Sequence, residues 1–504
     1  MTARLIVLIL ICLSAQLQSQ LNISKMYPAP RKSVPLEILN NSAHHFYILR
    51  YNKMAHDITI ERRRKSDAGI AAFTPLKLDS VNASWFNYEY LDYLFFEKDR
   101  RLFFVFERVL NKESRIFMKE IDTLGRSSGF IELASLRAGK NESRLSMQFE
   151  LTEAKMLQVT RTRAFGAIVH RDISVIDPGT RAVVFESRLP VENPSTGYSD
   201  KVLTDSHYNI YYQLAHFHFE LQGNYGGPFG GYMNVRPLVD SLQLVVIRSA
   251  EGSCFKKSLP LQGISRLNSA SLQLTSNGVD LHLLFAGNDS TASSNLFFAH
   301  SRYNHSLDLI DSQVQELDPL LSSQLTFYDG SNEDSPALKN YHHLTTLSAG
   351  AGRFHFTERR DENYYKEMLV WRTSDKSCGV TMQCIIPRKI FFFEDRAAFR
   401  TIGKAMHTSH QNRLYTFLLE HRSNSRDKAD QFDFHSFRRQ ETHKGANLAA
   451  YILHEGGGLQ KKIVYENRDF FCVPLKYSGN TDDVVLYLTK NEVEKFAIVR
   501  LNQL

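Results

Sequence analysis

Val279-Asp-Leu-His-Leu-Leu-Phe285, followed by Asn288-Asp-Ser290 and then Asn295-Leu-Phe-Phe-Ala-His300, is the stretch on which the fold reading turns. A short apolar run, a polar loop and a second short apolar run follow one another within about two dozen residues. Runs of four to eight apolar residues bounded by Asn, Asp, Ser or Gly are the signature of strands joined by turns.

The same theme recurs along the chain. Arg101-Leu-Phe-Phe-Val-Phe-Glu-Arg-Val-Leu110 passes through Asn111-Lys-Glu-Ser114 to Arg115-Ile-Phe-Met-Lys-Glu-Ile121. Gly352-Arg-Phe-His-Phe-Thr-Glu358 leads to the run from Tyr364 to Trp371, and Arg413–His421 leads to Phe432–Phe437. Phe470–Lys476 leads through a polar turn to Val484–Leu488, and similar hairpins fall at 145–161, 165–187 and 208–248. Long helical periodicity is scarce. With 34 Phe and 22 Tyr, the composition also favours strands, because flat rings suit a pleated, half-buried surface.

The repeats starting at 352, 413 and 470 lie about sixty residues apart, and roughly thirty strand-like segments at four per blade make seven or eight blades. The expected fold is all-β: a single large β-propeller of about seven or eight blades. Tandem β-sandwich domains are the alternative. No long Pro- or Ser-rich linker marks a boundary between such domains; the nearest, Pro190–Gly197, has the length of an ordinary loop. The chain carries no WD dipeptide and no kelch or Ser-x-Asp-x-Gly-x-Thr-Trp signature, so the reading is of the architecture and not of one family.

Met1-Thr-Ala-Arg-Leu-Ile-Val-Leu-Ile-Leu-Ile-Cys-Leu13 and the polar, small-residue stretch after it have the layout of a secretory signal peptide. Nine apolar residues fall short of the ~20 that span a bilayer. Residues 1–19 are therefore expected to be a signal peptide and 20–504 an extracellular propeller-like domain without a transmembrane segment. Six N-x-Ser sequons, at Asn22, Asn40, Asn82, Asn141, Asn288 and Asn304, are candidate glycosylation sites in an exported chain; Pro194 removes Asn193 from the set. Four cysteines remain beyond Cys12. A local Cys378–Cys384 disulfide with Cys254 bonded to Cys472 is the expected pairing, though three connectivities exist and free buried thiols are the alternative.

The formal net charge of +7 is a mild excess that suits anionic glycans or acidic protein partners. Arg62-Arg63-Arg64-Lys65 is the densest basic run and reads as a solvated loop, with glycan binding or proteolysis as the sharper alternative. Gly223–Tyr232 holds five of the 26 glycines and reads as a long inter-strand loop displaying Tyr225, Phe229 and Tyr232.

Catalytic signatures are weak. Gly125-Arg-Ser127-Ser-Gly129 satisfies the GxSxG pattern, but a strand follows at once where a nucleophile elbow needs a helix, so a hairpin turn is the better reading. His454-Glu-Gly-Gly-Gly458 lacks the second histidine of a zinc-protease helix. His216, His218 and Glu220 alternate along one strand and would share a face, which makes them weak candidates for a metal set; a polar outer face explains the pattern as well. His342-His343 and His44-His45 are weaker still. No phosphate-binding glycine loop occurs, and dispersed basic residues on an exported chain argue against nucleic acid. No cofactor is expected. The leading expectation is a secreted glycoprotein that binds extracellular proteins or anionic glycans, or builds a coat or matrix, without catalysis. The alternative is a secreted propeller hydrolase acting on glycans or similar substrates.

Overall fold

The computed structural model describes residues 21–504 except for connecting segments, the longest being 77–87, 329–340 and 427–445. The expected leader, residues 1–19, lies outside the described residues. The chain forms eight antiparallel blades that follow one another in sequence as a β-propeller. Their first strands begin at residues 33, 88, 144, 196, 264, 341, 406 and 471. In blades two to seven the main strands pair in sequence order, each with the next, mostly through short hairpin connections. The strand Thr196–Thr204 of blade four packs on Ile264–Thr275 of blade five, which packs on Tyr341–Ala349 of blade six. The first strands thus line the ring's interior. Sandwich domains would need strands crossing between two sheets; here the sheets of blades two to seven each draw on one continuous stretch of chain.

The ring closes through both ends of the chain. The strand Leu21–Ile23 lies antiparallel beside Val493–Arg500 and completes blade eight from the N-terminal side. The run expected as one strand at Phe470–Lys476 splits: Phe471–Val473 stays in blade eight, whereas Lys476–Gly479 crosses to pair in parallel with Ser33–Asn40 of blade one. With Tyr27–Pro28, which also pairs with Val493–Arg500, three pairings hold the seam.

Packing follows the period of two. On the strand Gly278–Gly287, Val279, Leu281, Leu283 and Phe285 face blade four, while Leu284 and Ala286 face blade six. Each apolar side chain fully buried in this way contributes about 1.5–3 kcal/mol. Gly278 opens that strand with φ +147°, and a Cβ there would stand 2.0 Å from the Tyr303 carbonyl oxygen; only glycine fits. The single α-helix among the described residues, Pro319–Tyr328, joins blades five and six and buries Leu325 between them. Asp318 caps it by accepting from the Leu320 N–H at 2.8 Å. No helix among the described residues is long and apolar enough to cross a membrane.

Three expectations change. The basic run is no solvated loop: Arg62–Arg64 ends the strand Asp57–Arg64, so alternate side chains point opposite ways. Arg63 and Lys65 are buried, Arg64 is exposed. Second, the cysteines form no disulfide. Cys254 is on blade four and Cys472 on blade eight, opposite sides of the ring. Cys378 lies in the turn before Val380–Ile386, and Cys384 lies along that strand. At about 3.3 Å of rise per residue the strand carries the two Cα atoms beyond the ~7 Å that a disulfide bridges. Alkylation of the native protein is expected to label Cys254, which is exposed, far faster than the buried Cys378; equal rates, read by mass spectrometry, would contradict this arrangement.

Third, Asn40 is fully buried, and its Nδ2 donates to the Asp483 carbonyl oxygen at 2.8 Å and to Asp483 Oδ1 at 2.9 Å. The nitrogen that would carry a glycan is thus enclosed by the seam. Asn22 is exposed on the N-terminal strand. Asn304 is half-buried, with Nδ2 donating to Asp308 Oδ2 at 3.0 Å. Asn82, Asn141 and Asn288 lie outside the described residues.

Candidate functional site

Two gatherings of polar side chains among the described residues are candidates for a site. The first is an open pocket of about 620 Å³ on the seam between blades one and eight. Asn22 reaches it from the N-terminal strand, and His44 and His45 from the start of the strand His45–Asn52. Arg64, Lys65 and Ser66 come from the turn after Asp57–Arg64; Asp483, Arg500 and Gln503 come from the end of the chain. Five groups that are or can become cationic face one carboxylate, and that carboxylate is engaged: Lys65 Nζ lies 2.6 Å from Asp483 Oδ1. Arg64 reaches out to Asp67 at 2.9 Å in an exposed pair, which contributes little in water. The His45 imidazole is held below its ordinary pKa by burial and then by the positive charge of Arg62, His44 and Arg64. That shift records a locally positive field.

The second place lies between blades five and six and is closed to solvent. Asp280 and His282 are on Gly278–Gly287, His300 and Arg302 on Leu296–Asn304, and Arg353 and His355 on Gly352–Asp361. Each pair is spaced i, i+2, so alternation sends both members to the same face. The rings of His282 and His355 are 3.9 Å apart, and those of His282 and His300 4.4 Å. Phe298 stacks on His282 at 6.0 Å and on Trp371 at 5.1 Å, sealing one end. Asp280, fully buried, meets Arg302 Nε at 3.0 Å, Arg353 Nη1 at 2.9 Å and His300 Nε2 at 3.2 Å. Burial alone would raise its pKa, but the approach of His300 and Arg302 prevails and holds it below the ordinary carboxylate value. Burial pushes His282 and His355 far below the usual imidazole range, helped by neighbouring His and Arg charges. Both are therefore neutral at pH 7. His355 is satisfied, with Nε2 at 2.9 Å from Thr373 Oγ1 and Nδ1 at 3.2 Å from Thr346 Oγ1.

The residues singled out from the sequence do not assemble elsewhere. His216, His218 and Glu220 lie on the 16-residue strand Ile210–Tyr225, with a register shift between His216 and Phe217; their side chains lie outside the described residues. Ser127 also lies outside them, and the strands flanking it, Glu113–Ile121 and Ile131–Arg137, are adjacent and antiparallel. The 226–231 part of the glycine-rich segment lies outside as well, between Ile210–Tyr225 and Tyr232–Ile247. His454 closes a tight turn, its N–H bonded to the Gly458 carbonyl at 3.3 Å. His343 Nε2 engages Thr346 Oγ1 at 3.0 Å.

The seam pocket gathers features that the sequence offered separately, the basic run at Arg64 and Lys65, the His44-His45 pair and the Asn22 sequon, whereas the inter-blade cluster was not singled out from sequence. The cluster had a readable signal: polar residues at i, i+2 inside otherwise apolar strands.

No protein-family description matches this sequence, and no curated protein does. Among solved structures the chain is similar to a Dos1 propeller, at 10% identity, with 95% of this chain and 96% of that one covered and a TM-score of 0.44. The polysaccharide lyase Uly1 is 7% identical, with 95% and 99% covered and a TM-score of 0.38. The β-propeller domain of the Trilobed protease from Pyrococcus furiosus is 10% identical, with 87% and 100% covered and a TM-score of 0.36. None of these values bears on activity.

Proposed function

We infer that this protein is a secreted, non-enzymatic binding propeller that takes anionic groups of extracellular glycans at its closure seam. The observation that carries the reading is the seam pocket: about 620 Å³, lined by His44, His45, Arg64, Lys65 and Arg500 against the single, engaged carboxylate of Asp483. Sulfates or carboxylates on a polymer are matched by the Arg64 and Arg500 guanidiniums of that lining, and the association falls with salt. The pocket is open and polar, which suits binding. The exposed Asn22 at its rim carries one of the sequons, which suits a glycoprotein whose own sugar borders the ligand.

Retention on a heparin column tests this. The wild type is expected to bind at physiological salt and elute with a sodium chloride gradient. The double charge reversal Arg64→Glu/Arg500→Glu, on two exposed side chains, is expected to weaken binding about tenfold, as roughly 1.4 kcal/mol of lost attraction would. Flow-through of the wild type, or identical elution of the two proteins, would refute the assignment.

A further inference from the structure

We propose that Asp280, His282 and His300 form a binding site for a divalent transition metal, with zinc as the occupant that their chemistry favours. One ligand atom from each of the three lies within 4.8 Å of the others, and all three side chains are buried. Adjacent ligands of a tetrahedral ion held at 2.0–2.2 Å stand about 3.3 Å apart. His300 Nε2 and Asp280 Oδ2, at 3.2 Å, already occupy such an edge. The third ligand atom lies within 4.8 Å of both, so binding requires it to close in on them.

The decisive observation is His282. It is 3% exposed, and neither of its ring nitrogens has a hydrogen-bond partner among the described residues. Buried polar groups are almost always satisfied, and leaving one unmade costs about 1–3 kcal/mol. A purely structural histidine would be expected to resemble His355 beside it, whose two nitrogens both meet threonine hydroxyls. A metal ion supplies what His282 lacks.

The surroundings fit. Two imidazoles and a carboxylate favour zinc or its neighbours in the transition series over magnesium or calcium, which prefer all-oxygen shells. Neutral imidazole is the ligating form. Arg302 Nε holds the other carboxylate oxygen, Oδ1, at 3.0 Å, the outer-shell role that orients a ligand, while Arg353 Nη1 lies 2.9 Å from Oδ2 itself and has to give way to an ion there. Their positive charge also moderates the affinity for a cation. The ligands come from two neighbouring strands of blade five; the His355 ring of blade six lies 3.9 Å from that of His282 and closes that side, so a water completing the shell has to displace it. A bound ion there would clamp one inter-blade face from within the core and would be structural.

The test uses the full chain, stripped with EDTA and dialysed. Titration with Co2+ is expected to raise the visible bands of tetrahedral cobalt to saturation at one equivalent, and Zn2+ is expected to abolish them by displacement. Zinc should also raise the melting temperature of the stripped protein. His282→Phe fills the space beside Phe298 with an apolar ring and should weaken Co2+ binding at least about a hundredfold, the upper end of what disturbing even an outer-shell partner does. If that variant does not melt cooperatively in EDTA, His300→Asn replaces it. A wild type that develops no cobalt bands and no zinc-dependent melting shift overturns the proposal, and so does a folded variant that binds as tightly as the wild type.

Discussion

Replacing Glu494 by glutamine is expected to destabilise the folded ring by about 3–5 kcal/mol, the range seen when one member of a buried ion pair is removed. Glu494 completes a closed four-membered set at the seam. Arg50 Nε meets Glu61 at 2.9 Å and Arg50 Nη2 meets Glu494 at 2.8 Å; Arg63 Nη2 meets Glu61 at 2.7 Å and Glu494 at 2.8 Å. All four side chains are at most 1% exposed. The charges cancel only as a set, so neutralising Glu494 leaves two guanidiniums sharing one carboxylate away from water. Arg63 lies over the Phe496 ring at 4.6 Å, and water cannot enter without moving that packing. Backbone pairing of Tyr27 with Glu494 ties the set to the N-terminal segment. The variant should therefore also show faster proteolysis around residues 24–26. Urea unfolding at pH 7 measures the main effect, and a loss below about 1 kcal/mol would mean the set is not the closed network described.

Mild acid is expected to have the second large effect. His282 and His355 are held far below the usual imidazole pKa, chiefly by burial, and His407 is pushed down to about 3 by burial and then by Arg388. An unfolded chain protonates these three near pH 6.5, while the folded chain does not. Stability is therefore full above pH 6.5 and is lost as pH falls below it, towards the depressed folded values. The slope is about 1.4 kcal/mol per pH unit for each histidine, about 4 for the three together. The groups facing them act in the same sense or modestly against it: Arg353 and His343 disfavour the charged forms, and Asp280 alone favours protonation of His355. Urea midpoints in EDTA at pH 7 and pH 5.5 check the prediction. His407→Gln should flatten the slope by about one third; equal stability at the two pH values would show these imidazoles to be accessible to protons in the native state.

Much of the architecture was legible because strand propensity and turn chemistry are local. Arg101–Leu110 and Arg413–His421 match observed strands end to end, since their apolar runs are cut by polar loops on both sides. The blade count followed from the repeat. The Phe470–Lys476 segment was misread as one strand because its second half pairs with residues more than four hundred positions away. The basic run at 62–65 was misread for the same reason: Arg63 is held in the core by Glu494 as well as by Glu61, and Lys65 by Asp483, and both Glu494 and Asp483 come from the other end of the chain.

By itself the amino-acid sequence determined the all-β class, the repeating hairpins and the alternation that decides which side chains share a face, all consequences of a backbone whose period is two. Only the tertiary structure decided which faces meet. The seam pocket, the Arg50–Glu61–Arg63–Glu494 set and the cluster of His282, His300 and His355 join residues that sequence separation keeps apart, and their energies come from desolvation and proximity, which exist only once the blades have closed into a ring.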